Sequence, residues 1–274
     1  KIISNFIIFE KKVFMKFKIL TSAQLEQYTD VVKESPLTKL DNINKIETAV
    51  DYFQFYKSVS SVYSSKIEGE EIDFDSYFKH KFLKVKFKPD YTKKTDDLYA
   101  AYDFIDNHPL NLKNIQKVHS ILSASLLPRS QQGLIRTNPM FVINSDDQIE
   151  YVAANPEVVK SELTKLFNDI EILLKADLNP FEIFYYASLI HLVFVKIHPF
   201  QDGNGRTGRL LEKWFLIEKI GEKATAVQLE KNYYNNINDY YLNIRKLGLE
   251  YEDLDYGKSL DFLLMTIKGI DTKK

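Results

Sequence analysis

The amino-acid sequence predicts a mainly α-helical protein with one small β-hairpin. Most segments repeat apolar residues at intervals of three or four, which is typical of amphipathic helices. Strand-like character is concentrated in one stretch, where the polar residues 145–147 lie between the apolar run 141–143 and the apolar residues Ile149, Tyr151 and Val152. A third indication is the segment 181–197, which is apolar almost throughout and too long for a strand. We therefore expect a helical core with a single hairpin attached to it.

The composition is that of a globular protein with a large core. The chain has 274 residues, of which 45% are hydrophobic and 27% charged, and it contains 19 Phe and 17 Tyr. A net charge of −1 provides no global attraction to nucleic acid or to a membrane surface, so neither partner is expected. The absence of cysteine excludes disulfides, zinc–thiolate sites and thiol catalysis, and it is compatible with a reducing, cytoplasmic location.

Helical spacing recurs along most of the chain. The segments that carry it are 22–33, 42–65, 96–107, 112–126, 157–174, 231–246 and 259–270. The N-terminal apolar run 2–9 is too short to span a bilayer. The lysine-rich segment 79–94 predicts a solvated connector between helices; nucleic-acid binding is the alternative, and no other feature supports it.

The strongest helix start lies at residues 179–182. Asn179 is a suitable N-cap, Pro180 fits the first helical position, and Glu182 can reach back to the cap. The helix that follows carries apolar residues on every face, so we expect it at the centre of the core. A second apolar helix begins around residue 207 and stops at Gly221.

The loop between these two helices has the sequence HPFQDGNGRTGR, and it holds three of the nine glycines. Glycines let the backbone turn sharply and approach a ligand closely. The helix N-terminus that follows supplies free N–H donors and a positive partial charge, both of which suit an anion. Arg206 and Arg209 lie three residues apart on the first helical turn, and each guanidinium is a forked donor for phosphate. The loop therefore predicts a polyphosphate site.

Two further side chains of this loop, Asp202 and His198, suit metal binding and proton transfer. Asp202 offers carboxylate oxygens of the kind that Mg²⁺ takes beside substrate phosphates. His198 stands at the end of the buried helix, and an imidazole titrates near neutral pH and can accept a proton from an attacking hydroxyl. A base beside a polyphosphate site predicts group transfer from a nucleotide.

Residues 198–209 match, without a gap and at every defined position, the Fic family signature His-x-Phe-x-(Asp/Glu)-Gly-Asn-Gly-Arg-x-x-Arg. The order of helices and hairpin from about residue 98 to residue 270 also resembles a Fic domain. This resemblance implies a Fic-type helical bundle with the hairpin as a flap, divided into an N-terminal helical region, 1–94, and a catalytic domain, 95–274. It further implies transfer of AMP from ATP to a Tyr, Thr or Ser hydroxyl of a protein.

The resemblance also implies roles for the loop residues. His198 would be the general base, Asp202 would hold Mg²⁺, and Phe200 would anchor the loop in the core. Asn204 and the loop amides would bind the α-phosphate, and the two arginines would bind the β- and γ-phosphates. The residues implied in ATP binding are Asp202, Gly203, Asn204, Gly205, Arg206, Thr207, Gly208 and Arg209.

Two other regions are assigned by the same resemblance. The hairpin is similar to the flap that pins the target main chain as an added strand, and a hairpin that only covers the core is the alternative. The flap residues expected to line the nucleotide cleft are Gln148, Ile149, Glu150 and Tyr151. The tyrosines expected on the adenine side are Tyr233, Tyr234 and Tyr241.

A second signature lies upstream in the segment SSKIEGEEID. Ser64, Glu68 and Gly69 fit the pattern (Ser/Thr)-x-x-x-Glu-(Gly/Asn) of autoinhibited Fic proteins. Ser64 and Glu68 share a helix face, and Gly69 suits a helix end. The resemblance implies an inhibitory helix at about residues 58–69, with Glu68 paired to Arg209 so that ATP binds unproductively. A solvent-facing Glu68 is the alternative.

Three other functions stay open at this point. Glu68 could position a water that hydrolyses AMP–protein, which is the reverse reaction. Some Fic relatives use phosphate or phosphocholine donors, although the intact Gly203-Asn204-Gly205 favours AMP transfer. A catalytically silent nucleotide-sensing adaptor is the third, and the intact His198 argues against it. The target protein, which could be the chain itself, and a homo-oligomeric state are left open by the sequence.

Overall fold

The computed structural model describes residues 15–42, 51–143 and 149–270. Within these ranges the chain forms a helical bundle with one two-stranded antiparallel sheet, which confirms the predicted fold class. The helices are α1 (Leu25–Val32), α2 (Pro36–Asp41), α3 (Tyr52–Ile67), α4 (Phe74–Leu83), α5 (Pro89–Ile105), α6 (Leu112–Leu122), α7 (Pro156–Lys175), α8 (Pro180–Ile197), α9 (Asn204–Ile220), α10 (Leu229–Asn235), α11 (Ile237–Arg245) and α12 (Leu260–Lys268). The strands are β1 (Phe141–Ile143) and β2 (Ile149–Val152). The apolar run 2–9, the start of segment 42–65, the hairpin turn 145–147 and Gln148 lie outside the described residues.

Helix α8 occupies the centre of the core. It starts as the sequence predicts: Asn179 accepts hydrogen bonds from the next turn, and Glu182 accepts one from the Asn179 N–H at 2.9 Å. Every residue from Ile183 to Ile197 is buried, and α1, α7, α9 and α12 pack around the helix. α8 is long and apolar enough to cross a membrane by length and composition, but its burial shows that its apolar character serves the core.

The N-terminal helices share this core with the rest of the chain. Leu20, Tyr28 and Tyr56 belong to the same hydrophobic cluster as the residues of α8. The expected boundary between residues 94 and 95 falls inside α5. The lysine-rich segment 79–94, which was expected to be a connector, is mostly helical. Only residues 84–88 connect these two helices.

A buried polar cluster fixes α3 against α10. The Glu230 carboxylate accepts hydrogen bonds from Ser60 Oγ at 2.8 Å and from Tyr102 Oη at 2.6 Å, and Lys213 Nζ lies 3.5 Å away. Glu230 is fully buried, and a buried carboxylate is tolerated only when donors satisfy it. The middle of α3, at Ser60, is therefore held against α10.

The hairpin and the C-terminal helices each contain one irregularity. Val142 pairs with Tyr151 and Ile143 pairs with Ile149, so Glu150 is the extra residue of a bulge. The predicted helix 231–246 is divided into α10 and α11, with Asn236 between them. The Asn236 side chain donates to the Asn232 carbonyl at 2.9 Å, a local bond that competes with the helical ladder.

Candidate active site

The residues of the signature loop meet the hairpin, α11 and the end of α3 around one cavity of about 750 Å³. The cavity has the size of a pocket for a nucleotide-sized molecule. The residues singled out in the sequence that line it are Glu68, Glu150, Tyr151, His198, Gly205, Arg209 and Tyr241. The structure thus brings together residues that lie up to 173 positions apart, from Glu68 to Tyr241.

The loop is anchored below by two aromatic rings. Phe200 is fully buried, and its ring stacks on His119 at a centroid distance of 3.7 Å. His119 accepts a hydrogen bond on Nδ1 from the Gly133 N–H, so Nε2 carries the proton and donates to the Asp202 carbonyl at 2.8 Å. Burial lowers the pKa of His119 to about 4, so the ring is neutral and keeps this polarity. The predicted anchoring role of Phe200 fits this geometry, whereas sequence analysis missed His119.

The Phe200→Ala variant should lose about 3–5 kcal/mol of unfolding free energy, because it empties a packed site under the loop. Chemical denaturation of the full chain measures this loss. Phe141→Ala is a matched control, since the Phe141 side chain on β1 is 49% exposed and should cost far less. Equal losses for the two variants would show that Phe200 is not an anchor.

Asn204, Thr207 and Gly208 shape the loop and the start of α9 rather than the cavity wall. The Asn204 side chain accepts from the Phe200 N–H at 2.9 Å and donates to the Phe200 carbonyl at 2.8 Å, so both its polar atoms are occupied. The Thr207 hydroxyl donates to the Gly203 carbonyl, and Gly208 packs so closely on His191 that a Cβ would lie 2.8 Å from the ring. None of these three residues lines the cavity, and their expected contact with phosphate stays a prediction.

His198 is positioned as a proton acceptor. It ends α8 with a left-handed φ of 53°, which turns the chain into the loop. Its Nδ1 lies 2.6 Å from Tyr151 Oη and 3.1 Å from the Val195 carbonyl, and Tyr151 Oη donates to that same carbonyl at 2.7 Å. These partners keep the imidazole proton on Nδ1 and leave the lone pair on Nε2. Burial lowers the pKa of His198 to about 4, so the ring is neutral near pH 7.

Arg136, which sequence analysis missed, ties the hairpin to the end of α8. Its guanidinium donates to the carbonyls of His198 at 2.6 Å, Asn138 at 2.7 Å and Ala154 at 2.5 Å. Carbonyls at a helix C-terminus carry negative partial charge, which a buried cation stabilises. The position of His198 relative to the flap therefore depends on Arg136.

The carboxylate of Glu68 is paired with Arg209 inside the cavity. Glu68 caps α3, and Gly69 follows with φ 82°, as a helix-ending glycine does. Glu68 Oε1 lies 2.7 Å from Arg209 Nη2, while Ser64 accepts from Arg209 Nε at 2.9 Å and, with its carbonyl, from Nη2 at 3.1 Å. Burial raises the pKa of Glu68, but the charges of Arg209 and Arg206 outweigh it and lower the pKa below its ordinary value. Gly205 allows this approach, since a Cβ there would lie 2.5 Å from Glu68 Oε1.

Arg206 is engaged by a second carboxylate. Its Nη2 lies 3.3 Å from Glu70 Oε1, and Lys94 Nζ lies 2.6 Å from the same oxygen. Arg206 is buried and its Nε has no partner among the described residues. Glu70 was not singled out in the sequence, although it lies two residues after Glu68. Both signature arginines therefore contact the segment that follows α3.

Two of the three tyrosines expected on the adenine side do not line the cavity. Tyr233 is fully buried and donates to Glu212 at 2.9 Å, and Tyr234 packs on Tyr63, so neither lines the cavity. Tyr241 lines it, together with Tyr240, which sequence analysis missed. The sequence contained a signal for Tyr240, because Tyr240 and Tyr241 are consecutive and form a second Tyr-Tyr pair after Tyr233 and Tyr234.

Ile149 and Asp202 do not form the cavity wall, whereas Glu150 lines it. Ile149 is 51% exposed on β2, and Asp202 is exposed on the loop. Asp202 Oδ1 accepts from the Gly203 N–H at 2.6 Å, which leaves its second carboxylate oxygen available. Glu150 Oε1 forms an ion pair of 2.6 Å with Arg245 of α11, which links the flap to the opposite side of the cavity.

Comparison with known proteins gives a family match that includes the signature loop. Residues 109–216 match the model of the Fic/DOC family. Protein adenylyltransferase fic-1 of Caenorhabditis briggsae is 28% identical over 106 residues, covering 39% of this chain and 19% of that protein. Protein adenylyltransferase Fic of Nematostella vectensis is 33% identical over 114 residues, covering 40% of this chain and 22% of that protein. The matched region is thus a small part of both relatives.

The fold is shared with solved Fic structures. A Fic family protein from Desulfovibrio desulfuricans superposes with a TM-score of 0.66 at 16% identity, over 94% of this chain and 74% of that one. A Fic domain containing signaling protein from Bacteroides thetaiotaomicron gives 0.63 at 18% identity, over 91% of this chain and 94% of that one. At these identities the likeness concerns the fold. Residues 109–216, which include the signature loop, thus resemble a Fic/DOC domain, and the chain shares the fold of solved Fic structures.

Proposed function

We propose that this protein transfers AMP from ATP to a hydroxyl side chain of a protein and that Glu68 inhibits the transfer. The observation that carries the proposal is the cavity itself, in which a neutral His198 and the Arg209–Glu68 pair face the same space. A base, a cation for phosphate and a competing carboxylate are the parts that a restrained nucleotidyl transfer requires. The names of the two curated relatives support the same activity.

In the proposed reaction a target hydroxyl oxygen attacks the α-phosphorus of ATP. Nε2 of His198 takes the hydroxyl proton, a bond forms between that oxygen and phosphorus, and the bond to the β-phosphate oxygen breaks. Pyrophosphate leaves. The first N–H groups of α9 are free of intrahelical partners and would stabilise the charge on the phosphate oxygens. Arg209 and Arg206 would bind the leaving phosphates once their carboxylate partners release them.

The hairpin offers a place for the protein target. Phe141 and Ile143 of β1 are 49% and 56% exposed, and Ile149 of β2 is 51% exposed. Exposed apolar side chains beside a strand are suited to a peptide that adds a strand of its own, with main-chain hydrogen bonds and side-chain contacts. A target held there would lie next to Tyr151, whose hydroxyl contacts His198.

The loop also suits Mg²⁺. Asp202 is exposed and keeps one carboxylate oxygen free of hydrogen bonds to the loop, so it fits a hard cation. No cluster of three or more metal-binding side chains occurs in the described part of the chain, so the other ligands would be phosphate oxygens and water. When bound, Mg²⁺ would neutralise charge on the leaving phosphates.

Asp202→Ala should abolish most of the increase in ATP affinity that Mg²⁺ produces, because water replaces a carboxylate poorly in such a site. Isothermal titration of ATP with and without Mg²⁺ measures the increase. Asp239→Ala is a matched control, since Asp239 is another carboxylate at the cavity, and it should retain the increase. An unchanged Mg²⁺ effect in Asp202→Ala would assign Asp202 a structural role.

The test of the proposed reaction uses ATP labelled at either the α- or the γ-phosphate. Transfer of AMP places the α-label on protein and releases the γ-label with pyrophosphate. We therefore expect a labelled protein band from the Glu68→Gly variant with α-labelled ATP and none with γ-labelled ATP. A band with the γ-label would indicate phosphate transfer, and no band with either label on the chain or on a cell lysate would contradict transferase activity.

The reverse reaction is a second candidate, favoured by the position of Glu68 in the cavity wall beside His198. A carboxylate there could orient a water molecule toward an AMP–protein bond. AMP-modified target is incubated with the wild-type protein and with Glu68→Gly, and released AMP is measured. Faster release by the wild type would favour hydrolysis as the main activity, whereas equal rates would exclude Glu68 from it.

A further inference from the structure

A series of buried hydrogen bonds leads from the core to Nη1 of Arg209. The proposed reaction does not use it. It begins at Glu212 of α9 and His191 of α8, which are fully buried. Glu212 accepts from His191 Nδ1 at 2.7 Å, from Thr266 Oγ1 at 2.6 Å and from Tyr233 Oη at 2.9 Å. A carboxylate surrounded by donors fixes the direction of every one of these bonds.

The direction of the chain follows from the donors. Since His191 Nδ1 donates to Glu212, Nε2 accepts, and its partner at 3.1 Å is Tyr240 Oη. Burial lowers the pKa of His191, which keeps the imidazole neutral and Nε2 free to accept. The oxygen of Tyr240 is then free to accept from Arg209 Nη1, which lies 3.4 Å away. Tyr240 is 1% exposed and its ring lines the cavity.

Arg209 is therefore held by contacts on two sides, one from the α3 segment and one from the core. On one side, Ser64 and Glu68 of the α3 segment contact Nε and Nη2. On the other side, Tyr240 contacts Nη1 and is itself hydrogen-bonded to the buried His191. Release of the Glu68 carboxylate removes the strongest contact of the first side and leaves the second unchanged. The hydroxyl of Tyr240 then becomes the core contact that orients the guanidinium.

We propose that Glu212, His191 and Tyr240 are positioning residues that hold Arg209 in the orientation that binds the terminal phosphate of ATP. Their contribution to ATP affinity can be measured when the Glu68 side chain is removed. It concerns the contact of Arg209 with the terminal phosphate and not the binding of the base. The packing supports a rigid link, because Gly208 lies against the His191 ring with no room for a Cβ. This inference rests on the proposed function, since it concerns the same nucleotide site.

The inference predicts a nucleotide-selective effect of removing one hydroxyl. In the full chain carrying Glu68→Gly, Tyr240→Phe should weaken ATP binding about tenfold and leave AMP binding within about twofold, because a hydrogen bond to a charged group is lost and the ring is kept. Dissociation constants for ATP and AMP are measured by calorimetry. Tyr241→Phe is the matched control: its ring also lines the cavity, but its hydroxyl donates to the Ile67 carbonyl. It should leave the ratio of ATP to AMP affinity unchanged.

A double-variant cycle tests whether the residues act as one chain. His191→Asn keeps a donor toward Glu212 and removes the acceptor for Tyr240, so it should weaken ATP binding as Tyr240→Phe does. His191→Gln places an acceptor near the position of Nε2 and should restore part of the affinity. The double variant His191→Asn with Tyr240→Phe should bind ATP no more weakly than Tyr240→Phe alone, because the link is already broken. Thermal melting of each variant shows whether it is folded.

Three results would overturn the inference. Tyr240→Phe could weaken the binding of ATP and of AMP equally, or it could weaken neither. In the double variant, the two losses of ATP affinity could multiply. Tyr240→Phe is nearly isosteric and decides the matter even if the His191 variants do not fold. Failure of the proposed function is seen separately, as an absence of AMP transfer by the Glu68→Gly parent, whereas the binding constants require no turnover.

Discussion

His198→Ala should lower AMP transfer about 10²–10⁴-fold while leaving ATP binding largely intact, which is the range typical of a lost general base. The imidazole would act on the acceptor hydroxyl, whereas the amides at the start of α9 and the arginines would hold the phosphates. The partners of Nδ1 are Tyr151 and the Val195 carbonyl, so only Nε2 is available to take a proton. Alanine removes that nitrogen and leaves the phosphate site in place.

The comparison is made in the Glu68→Gly background, where the activity is expected to be measurable. AMP incorporation from α-labelled ATP gives the rate, and calorimetry gives the ATP dissociation constant. His108→Ala is the control, since His108 stacks on Phe104 outside the cavity and should not alter the rate. Near-parental incorporation by His198→Ala would remove His198 from the mechanism.

Glu68→Gly should raise AMP transfer at least about tenfold, because a hydrogen bond to a charged group contributes roughly 1.5–3 kcal/mol and each 1.4 kcal/mol is a factor of ten. Glu68 Oε1 lies 2.7 Å from Nη2 of Arg209, and the Glu68 side chain is 26% exposed. A γ-phosphate that needs the same nitrogen must displace this carboxylate. Removal of the carboxylate frees the guanidinium for ATP.

Two control variants separate the charge from other effects. Glu68→Gln keeps the size of the side chain and removes the charge, so it should activate as well, although less than glycine. Glu71→Gly lies in the same segment, is exposed, and should not activate. Self-modification and labelling of a cell lysate are measured at equal protein concentration. If Glu68→Gly is no more active than the wild type in both assays, inhibition by Glu68 is wrong.

The sequence predicted the components of the site whose signals are local. The cap at Asn179, the glycine-rich loop and the face shared by Ser64 and Glu68 each depend on residues a few positions apart. The contact between Glu68 and Arg209 spans 141 positions and came from the family resemblance, because helical spacing alone contains no information about which distant helix is the neighbour.

Two of the three expected tyrosines lie outside the cavity wall. Tyr233 is in ring contact with Tyr240 at a centroid distance of 4.8 Å, and its hydroxyl donates to the buried Glu212. Tyr234 packs on Tyr63 of α3 instead. These distant partners have no signal in the local sequence.

The missed residues His119 and Arg136 act on backbone atoms. His119 contacts the Asp202 carbonyl and the Gly133 N–H, and Arg136 contacts the carbonyls of Asn138, Ala154, Ile197 and His198. Every residue offers a carbonyl, so such partners cannot be recognised from residue types. Glu70 was missed because its contact with Arg206 depends on how the chain leaves α3 after Gly69.

The central claim is that Glu68 inhibits by occupying Arg209, and a combination of two substitutions tests it most directly. AMP incorporation is measured for the wild type, Glu68→Gly, Arg209→Ala and the double variant, with thermal melting to show that each is folded. The account predicts high activity for Glu68→Gly alone and low activity for the double variant, since the released guanidinium is then absent. A double variant as active as Glu68→Gly would show that Glu68 inhibits by some route other than Arg209, and it would contradict the account.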